Sequence, residues 1–359
     1  MSKLKLLLAI VLFAGGALGI VCRKRNKGGR MLNVYTSVPL EIAETLVRRF
    51  EKDHPKIKIA MRRAGSREIV EEVSKEFESG VPRADVVWLA DFVSAEELKE
   101  KGFLRKYVSP QSARIPAIFK DSGGYYTGSR LLNMVVVYNS ELVKKRPIGY
   151  KDLLDEDFKG KIAIADPSRA GTVRYAVGAL LLDKDFGWPY FVKLYRNKCR
   201  IVHDNTGMTK MIAEGELHMG ISIDFTVRKL LKDNPSLPID YIYPADGVLS
   251  VPSPIAVISG SPNAAAAEKF IDWALSAKTQ GFMCKEMGIV SLRKDIAVPA
   301  GMPSLADLEI IPSNPQLILK TASRCDRIFN DIFSGKPLDE INTGLFPPEN
   351  GTKGEGGLR

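Results

Sequence analysis

One stretch decides the fold class: Phe158-Lys-Gly-Lys-Ile-Ala-Ile-Ala-Asp-Pro-Ser-Arg-Ala-Gly-Thr172. Its apolar residues at 162–165 predict a buried strand, and the apolar run beyond it predicts a helix over 171–182. A polar turn joins the two. A strand that passes through a short polar turn into a helix is the building unit of α/β folds. The sequence therefore predicts an α/β fold.

The same unit recurs on both sides of this stretch. Further strands are predicted at 32–35, 57–60, 86–90, 131–138, 201–202, 219–223 and 255–258. Helices are predicted to begin at Pro39 and Ser66, and to run over 206–214 and 262–275. Ser94 and Glu97 have the spacing of a capping box for another helix that ends at Gly102. The Pro/Gly/Ser-rich residues 243–253 are predicted to interrupt the alternation.

The composition is that of a folded protein with two domains or one large one. The chain has 359 residues, of which 45% are hydrophobic and 26% charged. Its net charge is +10, but residues 1–30 hold seven Lys or Arg and no acid, so the rest carries only +3. A nucleic-acid-binding protein concentrates positive charge on its folded body. The charge distribution therefore argues against a nucleic-acid partner.

Residues 1–30 have the pattern of an export signal followed by a basic tether. Lys3 and Lys5 precede sixteen apolar residues at 6–21, and Cys22 follows them directly. The run is shorter than the roughly 20 residues of a membrane-spanning helix, although an uncleaved anchor stays open. Residues 18–22 resemble the lipid-attachment box of bacterial lipoproteins, and cleavage near 17–19 is the alternative. We expect a periplasmic or cell-surface protein, with a lipid anchor at Cys22 as one form of attachment.

The other cysteines, Cys199, Cys284 and Cys325, are interpreted as structural thiols. They form no CxxC motif, and the three histidines are scattered along the chain. A zinc or redox site needs such residues at short, regular spacing. The sequence therefore predicts neither a metal nor another cofactor.

Three turns that lead from a strand into a helix carry candidate binding residues. Each offers hydroxyl groups and free backbone N–H groups at the positive end of a helix dipole, as an anion requires. Each alone is also typical of an ordinary helix cap, but ligands bind at this edge of an open α/β sheet. The candidates are Thr36 and Ser37 in the first turn, Ser168, Arg169, Gly171 and Thr172 in the second, and Asp204, Asn205, Thr206 and Gly207 in the third.

Three carboxylates stand beside these turns: Asp91, Asp204 and Asp224. In a shared cleft they would accept hydrogen bonds from hydroxyl or amino groups of a ligand whose other end is anionic. Each is equally well interpreted as a helix cap or as part of a surface ion pair. Two acids could also serve acid–base catalysis, but the sequence has no GxSxG, HExxH, Walker A or GxGxxG motif. We therefore expect no catalytic residues and no enzyme.

Taken together, these residues resemble the extracellular solute-binding proteins of ABC importers, in the branch of ferric-ion, phosphonate and sugar-phosphate binders. The resemblance spans roughly residues 31–295 and rests on the order and spacing of several stretches. They are Leu32-Asn-Val-Tyr-Thr-Ser37, Asp85-Val-Val-Trp-Leu-Ala-Asp91, Val135-Val-Val-Tyr-Asn139, the stretch 158–172, and Ser253-Pro-Ile-Ala-Val-Ile-Ser-Gly-Ser-Pro-Asn263 before an Ala-rich segment.

The resemblance implies a two-lobed, type II-like periplasmic-binding-protein fold with a ligand cleft between hinged lobes. We expect one lobe at 31–125 plus 248–280, the other at 126–247 plus 281–346, and a flexible tail at 347–359. The family's ligand-contacting positions match Thr36, Ser37, residues 168–172 and residues 205–207. The expected partners of a monomeric protein are a small anionic solute and the permease and ATPase subunits.

One position separates this chain from the iron-binding branch. That branch carries adjacent tyrosines after the strand at 219–223, where this chain has Asp224 and Phe225. Fe(III) prefers phenolate and carboxylate oxygens, so the resemblance favours a phosphorylated sugar or a phosphonate as the solute. Ferric-iron binding is the alternative. A phosphate-ester hydrolase that uses the aspartates and a sensory binder that signals to a membrane kinase are further hypotheses.

Overall fold

A computed structural model describes residues 30–337 and 340–341 of the chain. The predicted leader up to residue 29, which includes Cys22, lies outside the described residues, and so does the predicted tail at 347–359.

Strands and helices alternate along the described residues, which confirms the predicted α/β class. The ten strands of this range are β1 (Arg30–Thr36), β2 (Ile57–Arg63), β3 (Val86–Trp88), β4 (Leu104–Arg105), β5 (Thr127–Asn139), β6 (Ile162–Ala165), β7 (Arg200–Val202), β8 (Met219–Ile223), β9 (Ile239–Ile242) and β10 (Ser250–Ile258). Its ten α-helices are α1 (Leu40–Asp53), α2 (Ser66–Glu78), α3 (Phe92–Glu100), α4 (Gly171–Leu182), α5 (Gly187–Arg196), α6 (Asn205–Ala213), α7 (Asp224–Asp233), α8 (Ala264–Leu275), α9 (Ala277–Met287) and α10 (Pro315–Phe333). Within the described range, none of these helices is both long and apolar enough to cross a bilayer.

The strands form one hydrogen-bonded array with two parallel halves. Their order is β2-β1-β3-β10-β5-β8-β6-β7, with β4 beside β10 and β9 beside β5. β1 is parallel to β2 and β3 in one half, and β6 is parallel to β7 and β8 in the other. β5 and β10 run antiparallel to each other between the halves. Residues 127–133 of β5 pair with β10, whereas residues 134–139 pair with β8 and β9, so β5 passes from one half to the other.

The helices bury apolar stripes that the sequence shows at helical spacing. In α1 the buried residues Ile42, Leu46 and Phe50 follow one another at intervals of four along one face. The ring of Phe50 meets that of Phe270 from α8 edge to face, with 5.0 Å between ring centroids. Full burial of such a side chain contributes about 1.5–3 kcal/mol to stability. This packing holds α1 and α8 against the first half of the sheet.

The expected capping box at the start of α3 is wrong. The helix begins at Phe92, and Asp91 caps it from an extended backbone. Asp91 Oδ1 accepts the Ser94 N–H at 2.8 Å, and Oδ2 accepts the Ser94 hydroxyl at 3.0 Å. A carboxylate is at least as good an N-cap as a serine, so the earlier residue takes the position.

The expected break at residues 243–253 is also too long. Ser250, Val251, Pro252 and Ser253 already belong to β10 and pair with β5. The register shifts between Ser253 and Pro254. A β-bulge accommodates a residue that lacks a backbone N–H, so Pro254 at this shift does not end the strand.

The longest helix, α10, was not expected from the sequence. It starts at Pro315, after Asn314 accepts the Leu317 N–H as its cap, and it contacts α3, α4 and α5. Helix α3 follows a strand of the first half of the sheet, and α4 follows a strand of the second half. Helix α10 therefore braces both halves from one side.

Candidate functional site

A cavity of about 720 Å³ opens where loops from both halves of the sheet meet. We call it the central cavity. Loops that follow β1, β2 and β3 line it from one half, loops that follow β6, β7 and β8 line it from the other, and β5 contributes two residues. Its lining consists of Ser37, Pro39, Arg63, Gly65, Ser66, Arg67, Glu68, Glu71, Ala90, Arg130, Leu132, Ser168, Arg169, Ala170, Gly171, Thr172, His203, Asp204, Ile223 and Phe225.

Helices α1 and α2 begin beside the central cavity without side-chain caps. Ser37 lies just before α1, and Gly65 and Ser66 lie at the start of α2. The Ser66 hydroxyl donates to Ser37 Oγ at 3.1 Å and accepts the Ala90 N–H at 2.9 Å, which ties the three loops together. The first N–H groups of an uncapped helix need acceptors, and a bound oxyanion can supply them.

The two residues of the first predicted turn have different surroundings. Thr36 is buried and does not line the central cavity. Its hydroxyl donates to the Trp88 carbonyl at 2.9 Å and accepts the Val38 N–H at 3.1 Å. Thr36 therefore shapes the turn, and Ser37 is the member of the pair that borders the cavity.

The second predicted turn borders the central cavity over all of residues 168–172. It leads into α4, which also lacks a side-chain cap. A Cβ atom on Gly171 would overlap Oδ2 of Asp91 and would lie 3.5 Å from Cβ of Ser66. The N-terminus of α4 thus comes against the start of α2 and α3 from the opposite half of the sheet, and only a glycine permits this approach.

The third predicted turn contributes one of its four candidates to the lining, Asp204. This residue caps α6, since Oδ1 accepts the Gly207 N–H at 2.7 Å. Burial raises the pKa of Asp204, but the hydrogen bonds from Gly207 and from His203 at 2.9 Å outweigh it and hold the pKa below its ordinary value. Asn205, Thr206 and Gly207 do not line the cavity. Because Asp204 already caps α6, this helix start is less available to an anion.

The other two predicted carboxylates, Asp91 and Asp224, lie outside the lining. Asp91 is buried as the cap of α3, and burial raises its pKa. Asp224 is fully buried, forms an ion pair with Arg228 at 2.8 Å and accepts the Tyr243 hydroxyl at 3.0 Å. Both are engaged inside the protein, as the structural interpretation of each aspartate anticipated. Asp204 remains as the predicted carboxylate that borders the cavity.

Arg130 lines the central cavity from β5 and was not among the predicted residues. Its side chain is almost fully buried, at 2% exposure. Nε donates to Ser253 Oγ at 3.1 Å, whereas Nη1 has no hydrogen-bond partner among the described residues. Burial lowers the pKa of Arg130 to about 10, so the group stays charged at neutral pH. An arginine directly before the apolar run 131–138 was the available sequence signal, since charged residues are rarely buried without a partner.

The charged residues of the lining are mixed in sign. The arginines are Arg63, Arg67, Arg130 and Arg169, and the carboxylates are Glu68, Glu71 and Asp204. Arg67 lies 3.5 Å from Glu71, and Arg169 lies 3.4 Å from Asp166, so two of the arginines have acidic neighbours. The lining therefore offers cationic groups to an anion and carboxylates to hydrogen-bond donors.

Residues 82–312 match the family described as bacterial extracellular solute-binding protein. The chain belongs to this family. Among the curated relatives of this solute-binding protein is a Salmonella typhimurium protein named "Putative 2-aminoethylphosphonate-binding periplasmic protein". The two are 25% identical over 236 residues, which cover 64% of this chain and 67% of the relative.

Solved structures of two proteins share the fold of this solute-binding protein. Iron-bound HitA from Pseudomonas aeruginosa gives a TM-score of 0.76 at 19% identity, over 84% of this chain and 99% of that one. The periplasmic binding protein AfuA from Actinobacillus pleuropneumoniae, with fructose 6-phosphate bound, gives a TM-score of 0.74 at 23% identity, over 85% of this chain and 99% of that one. Such proteins have two lobes, so the predicted two-lobed fold is confirmed.

Family membership fixes the general role of the solute-binding protein. It is a non-enzymatic substrate-binding component of an ABC importer, and its place is the periplasm. This confirms the sequence-based prediction that the chain is no enzyme. The solutes named for the two solved structures differ, because HitA holds iron and AfuA holds a sugar phosphate. The solute of the present chain has to be inferred from its own cavity.

Proposed function

We propose that this solute-binding protein captures a small phosphorylated or phosphonate-type organic anion in the central cavity and delivers it to the permease of its importer. One observation carries the proposal: the uncapped N-termini of α2 and α4 open onto the same cavity from opposite halves of the sheet. Each supplies backbone N–H groups and a positive dipole end, and two such ends together suit a tetrahedral oxyanion.

The hydroxyl groups at these helix starts extend the set of donors. Ser37, Ser66, Ser168 and Thr172 all line the cavity. Hydroxyl donors hold a phosphoryl oxygen without a full positive charge, and hydrogen bonds to a charged group contribute about 1.5–3 kcal/mol each. Closure of the lobes would bring the hydroxyl groups at the start of α2 and those at the start of α4 together around the anion.

Carboxylates of the lining would bind the remaining part of the ligand through hydrogen bonds. Asp204 and Glu68 lie in the same lining, and ionised carboxylates accept hydrogen bonds from hydroxyl or ammonium groups. We therefore propose a solute that carries such donors next to its phosphoryl group, as a sugar phosphate or an aminoalkylphosphonate does. The likeness to AfuA and to the Salmonella typhimurium relative supports both classes.

Ferric iron is the second candidate, because HitA shares the fold. The lining itself favours the organic anion. It contains no tyrosine, and it has the ring of Phe225 close to the end of β8, where the iron-binding branch carries tyrosines. Phenylalanine offers no oxygen to a metal ion.

Thermal unfolding of the purified protein with a panel of solutes tests the proposal. The panel is fructose 6-phosphate, 2-aminoethylphosphonate, inorganic phosphate, fructose and Fe(III). A solute that binds only the folded protein at 100 times its Kd adds about 2.7 kcal/mol of stability. We expect a shift with a phosphorylated or phosphonate solute and none with fructose. A shift with Fe(III) alone would contradict the proposal, and release of inorganic phosphate from the sugar phosphate would favour a hydrolase.

Three further expectations stay predictions: the lobe boundaries, the monomeric state, and the role of Cys22 as a membrane anchor. Chromatography with light scattering tests the monomeric state. Uptake of the identified solute by cells with and without the gene tests its delivery to the permease.

A further inference from the structure

Arg130 differs in its surroundings from the other arginines of the central cavity. Arg63, Arg67 and Arg169 are exposed, so water solvates their charge. Arg130 is 2% exposed, and among the described residues it takes part in no ion pair. The structure thus keeps a positive charge inside the protein without a negative charge of its own to compensate it.

A buried charge of this kind is costly for the fold. Removing a guanidinium from water carries a large desolvation cost, which only a counter-charge with good hydrogen-bond geometry can offset. Arg228, whose side chain is 15% exposed, shows the usual solution, because Asp224 lies 2.8 Å away. Arg130 has only the Ser253 hydroxyl, which binds Nε and leaves Nη1 without a partner in the described residues. Its unused N–H groups form the planar fork that matches an oxyanion.

The position of Arg130 in the sheet also matters. It pairs with Ser253 across β5 and β10, the two strands that lie between the halves of the sheet. The Ser253 hydroxyl in turn donates to the carbonyl of Leu89, which follows β3 in the first half. An anion on Arg130 would therefore be held on a side chain that is fixed to the junction of the two halves.

We infer that Arg130 is the specificity-determining residue of the central cavity: it pairs with the oxyanion of the solute and makes binding depend on that negative charge. The inference rests on the proposed function and deepens it. Serine and threonine hydroxyls alone could also hold a neutral polyol. A buried guanidinium without a counter-charge discriminates against every solute that carries no negative charge.

The test compares Arg130→Met with Arg174→Met. Arg174 is a matched control, because it lies on α4 outside the cavity lining and has an acidic partner, Asp326, at 3.0 Å. Unfolding temperature without added solute and Kd for fructose 6-phosphate, 2-aminoethylphosphonate and inorganic phosphate are measured for both variants and for the wild type.

We expect opposite results for the two variants. Arg130→Met should weaken binding of each anion that the wild type takes up by at least about 100-fold, because a buried ion pair is lost. Its unfolding temperature without solute should equal or exceed that of the wild type, since an uncompensated buried charge is replaced by an apolar chain. Arg174→Met should keep its affinity within a few-fold and should unfold at a lower temperature.

Affinity of Arg130→Met within tenfold of the wild type would overturn the inference and leave the proposed function intact. If Arg130→Met fails to fold, Arg130→Lys is the deciding variant, because it keeps the charge but loses the planar guanidinium. A folded Arg130→Lys protein that binds the anion at least tenfold more weakly supports the inference. Wild-type affinity of this variant refutes it. A wild-type protein that binds Fe(III) alone, or none of the anions, overturns the proposed function and the inference with it.

Discussion

The close approach of Gly171 to Asp91 predicts that Gly171→Ala impairs capture of the solute but not folding. The new Cβ would overlap Oδ2 of Asp91, a carboxylate that Ser94 holds through two hydrogen bonds of 2.8 and 3.0 Å. The backbone of Gly171 is not left-handed, so alanine is compatible with its local conformation. Asp91 and Gly171 belong to opposite predicted lobes. We expect the lobes of this fold to separate in the absence of the solute, so the overlap would oppose their closure around it.

The expected size of the effect follows from the cost of overpacking a well-filled contact, about 1–3 kcal/mol. If the closed arrangement alone bears this cost, the Kd for the solute rises by roughly 5- to 150-fold. Calorimetric titration measures the Kd, and thermal unfolding without solute measures stability, which should be unchanged or slightly higher because alanine favours helices.

Gly178→Ala is the matched control for this experiment. It lies on the same helix, but its Cβ would come within 2.6 Å of Ile318 Cγ2 on α10, away from the cavity lining. We expect it to lower the unfolding temperature and to leave the affinity of the folded protein near that of the wild type. If Gly171→Ala binds as tightly as the wild type, or loses as much stability as Gly178→Ala, the proposed contact between closing lobes is refuted.

Three further changes test separate parts of the site. Ser168→Ala combined with Thr172→Ala should raise the Kd for the anion at least about tenfold, because two hydroxyl donors are lost; unchanged titrations would remove this turn from the site. Asp224→Asn should lower the free energy of unfolding in urea by about 3–5 kcal/mol, because its partly buried partner Arg228 loses its counter-charge; wild-type stability would contradict this role of the ion pair. Asp204 has a lowered pKa, so its charge stabilises the fold above the ordinary value of 3.8, and this contribution is lost as the pH falls through the lower folded-state pKa. The small stability advantage of the wild type over Asp204→Asn should thus disappear in acid, and an advantage that grows there would contradict this.

The positions of many helices and strands could be predicted because side-chain periodicity is a local property. The predicted segments 162–165, 171–182 and 219–223 coincide with β6, α4 and β8. The errors arose where neighbours compete for one role. Asp91, and not Ser94 as expected, is the N-cap residue of α3. Strand β10 continues past Pro254 because its pairing with β5 contains a bulge there.

The candidate site was predictable only in part. The chemistry of the turn at 168–172 and of Ser37 was visible in the sequence, because hydroxyls, glycines and helix starts are local features. The sequence did not show which of the three predicted carboxylates borders the cavity. Asp91, Asp204 and Asp224 follow strands in the same way, yet Asp204 alone of the three lies in the lining.

Local patterns in the chain were enough to predict the α/β class, the family and the helix starts suited to an anion, since each depends on residues close together in the chain. Which polar groups are buried, paired or left to bind a solute became known from the folded structure. Arg130 shows the reason: its partner Ser253 is 123 residues away. Burial and pairing are set by long-range strand contacts, which no local pattern of residues records.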